Sequence, residues 1–359
     1  MKLRHIEYKV CYALWIPALM LVAIGLLFVY SASAGYARNY MPRQAVWVAA
    51  GIALAIPAAL VNGRVYRHFA APVFLASILS LVLVLVTGQV RHGARSWLGW
   101  GGLGIQPSEF AKLALILVCG RYLSDFEEHR YDFRYYAVSF ALLFVPLLLI
   151  LAQPDLGTAL VFFPVVLAMF YVSGTRQSML AATLLAGAAC FPLMWQFLKP
   201  HQKMRIVLTW HPELKPDTYG YQAIQSKIAI GSGLVFGRGY LHSLQSKLRF
   251  LPERHTDFIF SVVGEEWGFA GCVLVLLLYL ALIFAGLYIA RRAKTVFGEV
   301  VAVGITVLFA THVLLNLGMV MGLTPIIGLP LPLLSYGGSA MVTSLLALGI
   351  LQSIYAYEL

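Results

Sequence analysis

The chain has 359 residues, of which 60% are hydrophobic and 11% charged, and its formal net charge is +11. Soluble domains carry about a quarter charged residues, so this composition excludes a water-soluble globular core and matches a chain whose solvent is hydrocarbon. The positive excess belongs in loops facing anionic lipid or an anionic substrate. With no basic run and no aromatic-interleaved basic patch, nucleic acid is excluded as a partner.

Residues 1–10 are short and basic and precede an apolar run from Cys11 to Ser33. That run is too long for the apolar stretch of a secretory signal and lacks an evident cleavage site, so it reads as a retained first helix. Further apolar runs lie near 43–61, 69–87, 107–120, 136–152, 157–173, 178–198, 266–290, 299–321 and 332–356. Each is long enough, or nearly so, to span a bilayer. The expectation is an all-α polytopic membrane protein, one domain over 1–359 with about ten transmembrane helices. The weakest span is 107–120, which contains Glu109 and Lys112. Cys11, Cys119, Cys190 and Cys272 are widely spaced, form no CxxC pair and read as small buried apolar residues.

Ten spans place both termini on one side. With a cytoplasmic N-terminus, the short inner segments hold twelve Lys and Arg and the short outer loops only four, Arg38, Arg43, Arg91 and Arg95. This asymmetry favours both ends inside. Residues 199–265, between the seventh and eighth spans, are then an outer loop with nine Lys or Arg and five Asp or Glu. Loops of this length escape the charge bias. The segment is too rich in Trp, Tyr, Ile and Phe for a disordered linker. Tyr221, Ile224, Ile228 and Ala229 recur at helical spacing, with Gln222, Gln225 and Lys227 on another face. This predicts a short amphipathic helix on the membrane surface. A long structured loop is also where function is to be sought.

Ionisable groups inside spans are costly and suggest function by default. Glu109 and Lys112 stand three apart in Gln106-Pro107-Ser108-Glu109-Phe110-Ala111-Lys112, the spacing of a facing pair on one helix. They read as a structural buried ion pair or as the polar floor of a substrate cavity. Asp155, in Gln153-Pro154-Asp155-Leu156-Gly157-Thr158, reads as a cap of the sixth span or as a site residue. The densest cluster is Leu251-Pro252-Glu253-Arg254-His255-Thr256-Asp257-Phe258-Ile259-Phe260. Asp257 stands nine residues before the expected eighth span, roughly 14 Å if helical and near the headgroup layer. It is either a solvated loop carboxylate or a base for a sugar hydroxyl. Gly328-Leu329-Pro330-Leu331-Pro332 and Ser335-Tyr336-Gly337-Gly338-Ser339 imply a broken helix. Free N–H groups of Ser335, Gly337 and Gly338 could bind phosphate there, or the glycines could serve close helix packing.

Taken in order, Gln106–Glu109 with Lys112, Gln153–Thr158, Gln225–Gly233, Leu251–Phe260, and Leu331–Leu333 with Ser335–Ser339 resemble the shape, elongation, division and sporulation (SEDS) family over nearly the whole chain. The stretch Leu251–Phe260 resembles its rod-shape branch. The resemblance implies a ten-span fold with a large extracellular loop, in the cytoplasmic (inner) membrane of a bacterium. It implies polymerisation of lipid II into a growing glycan strand, alongside a class B penicillin-binding protein held through transmembrane contacts. It places the family's essential Asp at Asp257. Lys203, Arg205, Lys227, Arg238, Lys247, Arg249 and Arg254, with His255, become candidates to receive the pyrophosphate. Departure of that group calls for Arg or a divalent cation, and the sequence leaves the metal open. A lipid II flippase and a non-catalytic scaffold for the cross-linking enzyme are the rival readings.

Overall fold

A computed structural model describes residues 9–33, 39–91, 94–99, 104–198, 200–215, 220–248 and 250–358. The chain forms α1 (Tyr12–Ser33), α2 (Met41–Leu60), α3 (Gly63–Thr87), a hairpin of β1 (Gln89–Arg91) and β2 (Ala94–Trp97), α4 (Pro107–Asp125), α5 (Phe133–Ala152), α6 (Leu156–Val172) and α7 (Gln177–Phe197). There follow α8 (Pro200–Trp210), α9 (Tyr221–Ser232), α10 (Leu244–Lys247), α11 (Ile259–Arg292), α12 (Val296–Met321) and α13 (Gly338–Glu358). The ten apolar runs are α1–α7 and α11–α13. Among the described residues seven of these are long and apolar enough to cross a membrane, and α6 and part of α7 are shorter apolar helices.

Packing puts α12 at the centre, against α4, α6, α9, α11 and α13, while α2 lies along α13 and α1 along α11. Most of α4 is buried inside this bundle, which is why a helix carrying Glu109 and Lys112 is tolerated: its charges face protein and not lipid. Lipid tails supply no hydrophobic drive between helices, so close backbone approach through small residues holds the bundle. A Cβ at Gly349 of α13 would lie 2.6 Å from the Ala55 carbonyl oxygen of α2, and one at Gly304 of α12 would lie 2.9 Å from the Ile116 side chain. Prolines interrupt α1, α2, α3, α5, α6 and α7, as neighbouring helices permit in membrane spans.

Two expectations are corrected. The eighth span does not begin near 266. Helix α11 starts at Ile259 and breaks at Gly268 (φ 65), so the last part of the expected 199–265 loop is helical. Asp257 therefore lies two residues before a helix, not nine. Helix α9 forms as predicted, but it packs on α11 and α12 through Ala223, Ser226 and Ala229, with Ile228 exposed. Small residues at three-residue spacing let it lie close to the bundle; the larger apolar side chains do not form the buried face.

The two ends of the bundle are distinct. At one, Gln352 accepts from Cys11 N (2.9 Å) and donates to Lys9 O (2.8 Å), and Thr295 donates to Glu358 (2.6 Å). The motifs lie at the other. Gly349→Val should lower thermal stability in detergent by about 1–3 kcal/mol through overpacking of α13 on α2. An unchanged melting temperature would show that this contact is not tight.

Candidate active site

At the motif end the Asn316 carboxamide of α12 donates to Asp257 O (2.9 Å) and to Leu329 O (2.7 Å). Ser335 Oγ donates to Thr256 O (2.6 Å) and accepts from Leu331 N (2.8 Å), and Tyr336 N donates to His255 O (2.9 Å). The turn 252–258 is thereby stitched to the extended segment 325–331. The other motifs join from the side. Gln44 donates to Ser335 O (3.0 Å), Gln106 N donates to Ser339 Oγ (2.8 Å), and Gln106 Nε2 donates to Asp155 Oδ2 (3.1 Å).

The Asp257 side chain is half-buried. It faces Gly328 (φ 70), where an added Cβ would lie 3.3 Å from Oδ2, so only glycine lets the segment pass this close. Desolvation pushes the Asp257 carboxyl up to about 7; the Glu253 charge adds to this and the Arg205 charge opposes it. Arg205, on α8, also donates to Ile326 O (3.4 Å) and lines a cavity of about 200 Å³. Leu208, Thr209, Gln222, Ala223, Gly322 and Thr324 complete much of its wall. The Lys227 side chain lies against Gly322 at its rim. A carboxylate titrating near neutrality within electrostatic reach of the arginine that lines a cavity has the character of a general base near an anion site.

Deeper in the bundle, Lys112 Nζ lies 2.7 Å from Glu109 Oε1 and 2.9 Å from His312 Nε2, with all three side chains buried. A small cavity of about 20 Å³ adjoins them, room for one water. Asp155 caps α6: Oδ1 accepts from Thr158 N (3.0 Å) and Oδ2 from Thr158 Oγ1 (2.9 Å). Burial raises its carboxyl above the usual range, and these bonds partly offset the rise.

Several candidate residues sit elsewhere than a pyrophosphate site needs. Arg254 is 0% exposed and donates to Ala32 O (2.7 Å), tying the turn to the end of α1. His255 is buried and stacks on Tyr40 (centroids 4.5 Å, planes 6° apart), and burial holds its imidazole below the usual value. Gly337 N donates to Gln44 Oε1 (3.2 Å), Ser335 is occupied in the stitching, and Gly338 leaves room for the Trp47 ring. These five groups contribute to the scaffold, and the N–H groups of Ser335, Tyr336 and Gly337 are bonded within the protein, so of the expected phosphate donors at 335–338 only Gly338, the first residue of α13, has no bonded N–H among the described contacts. Arg238 is exposed and donates to Ser232 O (3.2 Å), away from the cavity lining, and Lys203 is half-buried on α8. The Lys247 side chain and Arg249 lie outside the described residues. Among the described residues no group of three or more His, Cys, Asp or Glu is placed to hold a metal ion.

The sequence reading missed His312, Asn316 and Gln44. Two of them were visible in principle: a His and an Asn four residues apart inside an apolar run share one helix face and need polar partners.

Comparison places this architecture. The model of the cell cycle protein family, which groups FtsW, RodA and SpoVE, matches residues 12–358. Peptidoglycan glycosyltransferase MrdB of Escherichia coli K12 is 40% identical over 348 residues, 95% of this chain and 94% of that protein. A chain of a solved peptidoglycan synthase complex, described as coordinating polymerization and crosslinking, aligns with TM-score 0.82 and 32% identity over 97% of this chain and 98% of that one. The rod shape determining protein RodA of Thermus thermophilus aligns with TM-score 0.73 and 31% identity over 98% of each. The fold and its polar end define a polytopic helical membrane protein of the cell-wall and cell-shape class. More narrowly, the chain belongs to the SEDS family and is RodA-like.

The buried pair gives a direct test. Removing either Glu109 or Lys112 alone leaves a buried charge without its closest counter-charge, a loss of roughly 3–5 kcal/mol in typical cases. Glu109→Gln and Lys112→Met should each destabilise more than the double variant does in a thermal cycle in detergent. Strictly additive losses would reject the pairing.

Proposed function

We propose that this chain is a peptidoglycan glycosyltransferase that polymerises lipid II into glycan strands, with Asp257 as the general base. The observation that carries the proposal is the Asp257 carboxyl, raised to about 7 beside Gly328 and within electrostatic reach of Arg205, which lines a 200 Å³ cavity. Support comes from the glycosyltransferase activity named for the Escherichia coli relative.

In the proposed reaction Asp257 takes the proton of the acceptor sugar's 4-hydroxyl as that oxygen attacks the donor's anomeric carbon. The new C–O bond forms as the bond to the donor's pyrophosphate breaks on the opposite face. A single displacement of this kind inverts the anomeric centre. Arg205 and Lys227, the cations at the cavity, offset the charge that develops on the departing pyrophosphate. Lys203 is held in reserve as a neighbouring cation on the same helix. The polyprenyl tails of donor and product remain in the bilayer, which the membrane-embedded scaffold makes accessible.

The same proposal sets Asp257 on the outer face of the inner membrane and both termini in the cytoplasm, from the twelve-to-four charge asymmetry. It assigns a class B penicillin-binding protein as the cross-linking partner, joined through transmembrane contacts. Membership of the related chain in a peptidoglycan synthase complex supports this.

Purified protein with labelled lipid II in detergent tests the chemistry, because flipping has no meaning without a bilayer and a scaffold makes no polymer. Asp257→Asn and Asp257→Ala should each lose about 10²–10⁴-fold in rate with the fold intact. Near-normal synthesis by the Asn variant would remove Asp257 from the chemistry. Partial rescue of that variant by high divalent-cation concentration would assign the carboxylate to a metal instead.

A further inference from the structure

Between α9 and α10 the chain makes a tight loop that turns apolar side chains outward. Leu234 is 79% exposed and Phe236 83%, with Val235 also exposed between them. Side chains of this size gain substantially on leaving water, so three together mark a surface met by something other than water.

The loop is held firmly. At the Gly268 break in α11, Leu234 O and Val235 O accept from Phe269 N (2.8 Å) and Ala270 N (3.0 Å), the first donors of the helix's second half. Arg238 N and Gly239 N donate to Glu265 O and Glu266 O (3.0 Å each), among the last carbonyls of the first half. The loop backbone thus passes through the break and satisfies both helix ends. Leu234 itself adopts φ 50, a left-handed conformation that costs a non-glycine residue about 1–2 kcal/mol. A strained backbone, anchored at both sides of the break, therefore presents the apolar tip.

Neighbouring contacts fix its depth. Trp267, next to the break, packs edge-on to Phe28 of α1 with ring centroids 4.8 Å apart, and Ser31 donates to Glu266. The Tyr240 hydroxyl donates to Leu27 O (2.9 Å). Helix α1 continues five residues past Phe28 to Ser33, about 7.5 Å at 1.5 Å per residue. The loop is thus level with the body of a membrane-spanning helix, short of its end. Phe269, 67% exposed, heads the outward stripe of α11 that continues through Leu277, Leu280, Phe284 and Tyr288. In a spanning helix this stripe meets acyl chains, and Leu234–Phe236 broaden it at its end. Exposed Arg238 follows directly.

We propose that Leu234–Phe236 is a membrane wedge whose side chains insert among the lipid acyl chains just beneath the headgroups, with Arg238 at the level of the phosphates. Three observations favour lipid as the occupant: the depth relative to α1, continuity with the exposed apolar stripe of a helix long enough to span the bilayer, and a cation beside the tip. Through the bonds to Glu265 and Glu266, the wedge ties the first half of α11, and the Asp257 turn before it, to a fixed depth.

The test is a fluorophore at Phe236→Cys in the full-length protein with Cys190→Ser; Cys11, Cys119 and Cys272 are buried. The probe is nitrobenzoxadiazole, and the bilayer is a nanodisc of phosphatidylcholine and phosphatidylglycerol. Emission should be blue-shifted relative to the same label at the exposed charged position Glu213→Cys. It should be quenched by a nitroxide high on the lipid acyl chain and protected from aqueous iodide. A second label at Val235→Cys should read the same, which separates insertion from a local misfold at 236. Water-like emission quenched by iodide at both positions would overturn the proposal. So would a blue shift that arises only when a partner protein is added, since that would make the tip a protein-docking surface.

Discussion

A bilayer supplies no water to unpaired backbone groups, so every interruption of a helix must be repaired from within the protein. The interruption on which the site depends is the extended segment between α12 and α13, and Asn316 repairs it. Its buried carboxamide bridges Asp257 O and Leu329 O, binding the two non-helical stretches of the motif end to one helix. Ser335 and Tyr336 add the parallel bonds to Thr256 and His255. With the backbone so fixed, Gly328 can run close to the Asp257 carboxylate, and Arg254 and His255 can be buried as struts. The cation and the imidazole beside Asp257 in sequence thus serve its placement, while the cation that acts on its charge, Arg205, comes from a distant helix.

Glu109 and Asp257 illustrate opposite solutions to the cost of burying charge. Glu109 has an ammonium at 2.7 Å and a hydroxyl from Thr343 at 3.4 Å, a compensated arrangement suited to a permanent buried pair. Asp257 has no such close counter-ion in the ion pairs of the described residues, and desolvation dominates its environment. The first arrangement stabilises one protonation state. The second leaves a carboxyl able to exchange a proton near neutrality, which is what base catalysis asks of it.

Much of this was legible in the sequence. Hydropathy located the ten apolar runs that become α1–α7 and α11–α13, seven of them long and apolar enough among the described residues to cross a membrane, and the i, i+3 spacing pointed to the Glu109–Lys112 pair. Helix α11 starts at Ile259, before the apolar run at 266; hydropathy follows the long apolar stretch, and the polar neighbourhood up to Glu265 reads as loop. Glu265 and Glu266 are held in the helix by Ser243 and Ser31, which donate to them, and by the 233–239 loop, which caps the break beside them, all long-range contacts. The roles of Arg254 and His255 were unreadable for a related reason: a basic residue beside an acidic one looks like ligand chemistry, and only the α1 carbonyl and the Tyr40 ring reveal a strut. Cation count alone likewise could not single out Arg205, which becomes distinctive only when α8 is brought over the 322–326 turn.

General-base action by a carboxyl raised to about 7 has a signature that a structural or metal-binding carboxylate lacks. The protonated form is inactive, so kcat/KM must climb about tenfold per pH unit below the pKa and level off above it. Initial rates of glycan synthesis by purified protein, measured from pH 5 to pH 9 with lipid II well below saturation, should show an ascending limb with its midpoint near 7. The residual activity of Asp257→Asn should lack that limb. A limb centred near 4, the ordinary range of a solvated aspartate, or one that persists unchanged in the Asn variant, would contradict the assignment of Asp257 as the base.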